Sequence, residues 1–203
     1  MGTSGAVTNG TTSAGRGRAP RWRGARRAAG ALLAAGLLAV PATAGAAPAS
    51  AAACRTAWGS GDEVALGLGT GAVTGVRTGR HACFDRVVVD VRGQVGGTAV
   101  LYVDEVTQDG SGAPVPLRGG ARLLVVVGAP SHDDAHRPTY APADRRELVD
   151  VSGSTTLRQV ASAGSFEGQT SIGVGVRARL PFRSFVVRDG ATSRVVVDVA
   201  HSW

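Results

Sequence analysis

The densest set of metal-capable side chains in the sequence is Ser131-His132-Asp133-Asp134-Ala135-His136, with two imidazoles at i and i+4 and two carboxylates between them. On a helix the histidines would share one face, as paired metal ligands do. Pro130 and Pro138 bracket the stretch, so a solvated loop is the natural conformation, and His81 and His201 stand at no ligand spacing from it. The expectation is no metal and no cofactor. A hydrolase would need a nucleophilic serine on a tight elbow with a histidine and a carboxylate converging on it. Gly164-Ser165-Phe166-Glu167-Gly168 lacks the glycine two residues after Ser165, and nothing in the chain places His201 near it. Glu167 is a lone acid, whereas glycan cleavage generally uses two carboxylates at a defined separation. The segment reads as a turn whose Phe166 plugs the core. Binding is the better-supported chemistry. Arg77, Arg80, Arg118, Arg122, Arg177, Arg179 and Arg183 fall at turns and strand ends, and guanidinium forks suit carboxylates and phosphates. Arg77, Arg118, Arg122, Arg177 and Arg179, with Glu167, are the candidate binding residues. Arginine is also this chain's only strong cation, since lysine is absent, so some of these side chains serve as ordinary solvated charges. Trp58, Tyr102, Tyr140 and Trp203 are too scattered to form a visible stacking platform.

The elements that must position these side chains follow an N-terminal address. All 22 positive residues are arginines, six of them at or before Arg27, and no acid precedes Asp62. From Arg55 onward 16 arginines face 15 acids, so the formal charge of +7 belongs to the N-terminus and a nucleic-acid partner is not expected. Residues 28–40 are uncharged Ala, Gly, Leu and Val, too short for the roughly 20 residues of a membrane span. Small-residue cleavage options follow Pro41, which makes residues 1–49 a secretory signal peptide rather than a retained anchor. Arg26-Arg27 is the one feature of a twin-arginine signal, and ordinary Sec export is the preferred reading. Cys54 lacks the leucine three residues earlier that a lipoprotein acceptor would have. With Cys83 it makes an even pair, which in an exported chain is first read as a disulfide tying the mature N-terminal segment to the domain.

The mature chain reads as β. Short valine-rich runs, 72–76, 84–91, 99–106, 123–127, 171–176, 182–187 and 195–200, are separated by glycine-rich turns. Asp144-Arg-Arg-Glu147 resembles a capping box sufficient for one short helix, and 157–163 is ambiguous between strand and helix. Residues 129–143, with three prolines, form the longest expected loop. An internal echo organises the whole: Asp85-Arg-Val-Val-Val-Asp-Val91 returns as Ser193-Arg-Val-Val-Val-Asp-Val199, each after a Gly-Val-Arg. Alternation turns Val87, Val89 and Val91 inward, together with Val195, Val197 and Val199. Paired antiparallel with Val88 opposite Val196, the copies would set Arg86 against Asp198 and Asp90 against Arg194.

Gly-Val-Arg followed by Arg-Val-Val-Val-Asp-Val resembles the AMIN domain, and more closely the AMIN-like domain of secreted actinobacterial proteins. Pro116–Arg122, Arg137–Tyr140, Gly164-Ser-Phe-Glu-Gly-Gln-Thr170 and Gly175–Phe182 extend the resemblance over about residues 70–203. It implies a compact β-sandwich that acts as a non-catalytic envelope module, targeting to peptidoglycan or the division site, and it brings no active-site motif.

The expected protein is therefore mostly β, an antiparallel β-sandwich with an internal pseudo-repeat and at most one short helix. Residues 1–49 are the signal, 50–69 a linker tied by the Cys54–Cys83 disulfide, and 70–203 the domain. The expected function is binding of peptidoglycan, or of another cell-wall glycan or anionic wall polymer. The alternative is a structural or protein-partner module that meets an envelope protein, with hydrolysis a minor alternative. The expected location is extracellular or wall-associated, with no transmembrane segment after processing.

Overall fold

The computed structural model describes Cys54 and residues 56–203. The arginine-rich start, the apolar run and the cleavage options lie outside the described residues. Nine strands and no helix are present among those described: β1 (Glu63–Ala65), β2 (Ala72–Arg80), β3 (Phe84–Arg92), β4 (Thr98–Val103), β5 (Ala121–Val127), β6 (Leu157–Phe166), β7 (Gln169–Val176), β8 (Phe182–Asp189) and β9 (Thr192–Ala200). They form two antiparallel sheets, ordered β1-β4-β5-β7-β6 and β2-β3-β9-β8. Each of the seven expected valine runs holds a strand, although that of 99–106 ends at Val103 and residues 104–106 turn away from the sheet, and the ambiguous 157–163 stretch is β6. The three-residue β1 falls in the stretch read as linker and pairs with β4.

β-branched side chains alternating in and out explain why these segments pleat and where the core lies. Val87, Val89 and Val91 of one sheet and Leu123, Val125, Val160, Val174 and Val176 of the other share one buried cluster, closed by Phe182 and by Val195, Val197 and Val199. The echoed strands are neighbours in the expected register, with Val88 opposite Val196, Arg86 opposite Asp198 and Asp90 opposite Arg194. Asp85, on the inward side of β3, joins the two sheets. Its buried carboxylate accepts the Thr156 hydroxyl, the Thr156 and Leu157 amides, and the His201 ring at 3.1 Å. Burial alone would raise its pKa, but these hydrogen bonds outweigh it and hold the carboxyl below its ordinary value.

The capping-box expectation fails. Asp144 Oδ1 accepts only the Arg146 amide, two residues on. Residues 145–148 instead run along the outer edge of β6, where Arg145 O accepts the Ser162 amide and Leu148 N–H donates to Val160 O. Pairing with a sheet edge satisfies those backbone groups better than one isolated helical turn would. Phe166 corrects the expectation of a core plug: it is 50% exposed and lies over Gly110. The β6–β7 hairpin turns through Glu167 and Gly168, both at positive φ (50° and 78°), the backbone of a type I′ turn.

Candidate functional site

The two sheets differ on their outward faces. Residues 104–118 cover the five-stranded sheet, where Val106, Val115 and Leu117 meet Ala161 and Ala163 in a small second core. The cover lies so close that a Cβ on Gly175 would stand 2.0 Å from Arg118 O. Among the described residues the four-stranded sheet has no such cover, and its outward side chains are set in cross-strand rows. Arg86, Asp198 and Arg183 make one row across β3, β9 and β8; Val88, Val196 and Phe185 make the next. Asp90 and Arg194 follow, with Val187 beside them.

Asp198 is fully buried and accepts from both flanking arginines, Arg86 Nε at 2.6 Å and Arg183 Nε at 2.9 Å. The hydrogen bond that Arg86 donates to Asp198, opposed by partial burial, raises the Arg86 pKa further, so Arg86 is a permanent cation. Both guanidinium groups lie against aromatic rings. Arg183 sits 4.4 Å from the Trp58 centroid and 5.4 Å from that of Phe185, and Arg86 sits 5.2 Å from Phe84. Trp58 meets Phe84 edge-on at 5.6 Å, and His81 stacks on Phe84 at 4.4 Å. The result is an arginine–aromatic surface. Four arginines (Arg77, Arg86, Arg183, Arg194) face two carboxylates (Asp90, Asp198), with Asp189 at the margin 3.8 Å from Arg194. Such a surface can stack on a pyranose ring and attract a carboxylate or phosphate.

Trp58, Phe84 and Phe185 were not legible as a group, because Trp58 and Phe185 are far apart in sequence. One signal was available. Phe84 with Arg86, and Arg183 with Phe185, are i, i+2 pairs, so each ring shares a strand face with its arginine; β3 and β8, both antiparallel to β9, run parallel, which sets Arg86 and Arg183 in one row with Phe84 on one side of it and Phe185 on the other.

The expected binding residues are spread over the molecule. Arg77 belongs to the open face and forks onto Asp90, with Nε at 2.8 Å. Arg118 lies on the covered side, bonded to Glu147 and to Arg158 O. Arg177 and Arg179 are not on a strand, since β7 ends at Val176. They diverge, Arg177 to His201 O and Arg179 to Ser60 O at 2.8 Å and over the Tyr102 ring. Arg122 and Arg179 line one small recess beside Tyr102. Glu167 stands exposed on its hairpin turn. Cys54 and Cys83 form the disulfide, and Ser202 Oγ bonds Cys54 O, so both ends of the described chain meet there.

The remaining chemical candidates have other partners. Ser165 Oγ accepts the Ser131 amide and donates to Gln169 O, while His201 serves Asp85. His132 and His136 stand together, with centroids 5.2 Å apart. Asp133 is turned away to Arg137, whose hydrogen bond, ahead of those from backbone amides, holds its carboxyl below the ordinary range. No group of three or more His, Cys, Asp or Glu suited to a metal occurs among the described residues.

No curated protein and no solved structure matches the chain. A family model does match, that of the AMIN-like domain, over residues 71–201, which takes in eight of the nine strands, the paired Arg-Val-Val-Val-Asp-Val repeats and the open face apart from Trp58. The chain belongs to the AMIN-like domain family.

Proposed function

We propose that this protein is an exported, non-catalytic binding module that holds peptidoglycan, or an anionic wall polymer, on the outward face of its four-stranded sheet. Membership of the AMIN-like family points to an envelope-associated module. The observation that carries the finer reading is the row Arg86–Asp198–Arg183: two guanidinium groups share one buried carboxylate and lie on Trp58, Phe84 and Phe185. A single acid cannot neutralise both arginines, so the face keeps a positive charge beside aromatic carbon. Wall glycans with carboxylate-bearing peptides or phosphates offer the complement. Arg77 and Arg194 extend the charge along the same face. Export rests on residues 1–49 acting as a signal, which leaves residues 50–69 as the lead-in to a domain at 70–203. The working location is then extracellular or wall-associated.

Co-sedimentation with purified sacculi tests this reading. The processed chain is expected to pellet with sacculi at low salt and to be released as ionic strength approaches about 0.5 M, where charges are screened within a few ångströms. Arg183→Ala and Trp58→Ala are each expected to weaken retention, and an unretained parent protein would overturn the proposal. A second reading, a protein partner that adds to a sheet edge, is favoured by β8. Its first half is closed by Gly59 O on the Phe182 amide and by Glu63 on the Ser184 amide, whereas Val187 further along is 38% exposed. Retention by an envelope protein fraction, and not by sacculi, would select it.

A further inference from the structure

A cleft of about 440 Å³ opens between the loop 131–148 and the inward face of the β6–β7 hairpin. Its floor is Ser162, Ser165, Thr170 and Ile172, on the face that further along carries core residues Val160 and Val174. The four-stranded sheet does not reach over this end, so the loop covers it. The volume is that of a small-molecule site.

The charge of the lining is one-sided. Its ionisable groups are His132, His136, Tyr140 and Arg145, and no carboxylate lines it. The nearest acids in sequence point elsewhere: Asp133 forks onto Arg137 and the Ala135 and Arg137 amides, and Asp144 takes the Arg146 amide. Tyr140, its hydroxyl pushed up by burial, remains a neutral donor. Arg145 holds β6 through its backbone carbonyl, while its side chain makes no ion pair or hydrogen bond among the described residues. His132 Nδ1 lies 3.0 Å from Asp133 O. A carbonyl can only accept, so Nδ1 carries the hydrogen and Nε2 is left over. His136 is held at φ 56° with its ring beside that of His132. Leu148, Pro142 and Ile172 supply apolar surface to the same lining.

We propose that this cleft binds a small organic carboxylate, with the carboxylate on Arg145 and the two imidazoles and the carbon body against Leu148, Pro142 and Ile172. The guanidinium fork matches the two oxygens of a carboxylate, and the apolar surface favours an organic acid over an inorganic anion. Protonation of either histidine adds a donor and a positive charge, which a bound anion offsets. The loop contributes His132, His136, Tyr140 and Arg145 to the lining, and the hairpin floor contributes only hydroxyls and Ile172; outside the lining, the loop's other charges are Asp134, exposed between the two histidines, and the Asp133–Arg137 pair. The site lies on a different surface from the arginine–aromatic face, and the proposal stands or falls without it.

Titration by NMR or calorimetry with isovalerate, N-acetyl-dialanine and N-acetyl-dialanine amide tests it. Saturable binding of an acid, with no binding of the amide, is expected. Isovalerate alone binding marks a free acid as the natural class, and N-acetyl-dialanine alone marks the carboxyl end of a peptide. Affinity should rise as pH falls, because a protonated imidazole adds a donor and a positive charge beside the bound anion. Arg145→Ala, which leaves the backbone bond to β6 in place, should weaken binding roughly tenfold or more. His136→Gly suits the positive φ and should keep the fold while flattening the pH profile. The proposal is overturned if neither acid saturates below about 10 mM, if the amide binds as well as the acid, or if folded Arg145→Ala binds like the parent.

Discussion

The two outward sheet faces of this sandwich solve the same problem in opposite ways. On the five-stranded sheet, Gly173 and Gly175 let residues 104–118 lie directly on β7, and small side chains of β6 complete a dry second core. On the four-stranded sheet no second layer like residues 104–118 lies over the strands among the described residues; Trp58 meets one end of the face, and the outward rows alternate charge with valine and phenylalanine. The first face is closed by close backbone approach and the second carries an ion-paired row. A face that stays uncovered in a valine-rich domain is the one free to meet something else.

Substitutions that treat the faces alike should separate them. Gly175→Ala sets a Cβ 2.0 Å from Arg118 O and should cost about 3 kcal/mol or more in urea unfolding. Gly75→Ala on the open sheet meets only Asp90 Oδ2 at 3.8 Å and should stay within about 1 kcal/mol of the parent. Equal losses would erase the contrast. Next in size, Asp198→Ala strands two partly buried guanidinium groups and should cost about 2–4 kcal/mol. Arg183→Ala leaves Asp198 its bond to Arg86 and should cost distinctly less, which a double-mutant cycle with Arg86 measures.

Asp85 gives a pH-dependent version of the test. Its carboxyl sits below the ordinary value when folded, so its contribution is present above the unfolded pKa of about 4 and is lost as pH falls through the lower folded value. The melting temperature should fall over that acid range, and Asp85→Asn should lower stability at pH 7 while flattening the acid limb. The smallest effect belongs to Arg118→Ala. That arginine pairs with Glu147 in solvent, and its loss should leave the melting temperature unchanged within error.

Much of the sandwich was legible because alternation and charge agreed. In the echoed strands, inward valines set the face, and Arg86 and Asp198 could meet only if Val88 stood opposite Val196. β1 was not legible, since Glu63-Val64-Ala65 is three residues long and Val64 is 63% exposed. The 144–147 pattern misled because a local cap competes poorly with the edge of β6, and that edge is assembled from residues beyond it in the chain. Phe166 misled because its hairpin projects past the core. The open face was half legible: its arginines were visible as a class, but what ranks Arg86 and Arg183 above Arg177 or Arg179 is the shared Asp198 and the rings beneath them. Those contacts exist only once β3, β9 and β8 lie side by side. The cleft was legible only as a loop holding two histidines, because its floor comes from the β6–β7 hairpin.

The short stretch from Arg145 to Leu148, bonded along the border of β6, also bears on how the protein behaves in a crowd. Valine ladders with a bare border are templates for stacking one molecule onto the next. With that border occupied from within, neighbouring copies have nothing to zip onto along β6. Self-stacking through the five-stranded sheet is blocked on that side, and the far half of β8, ending in the opposite charges of Arg188 and Asp189, is the border left for a partner.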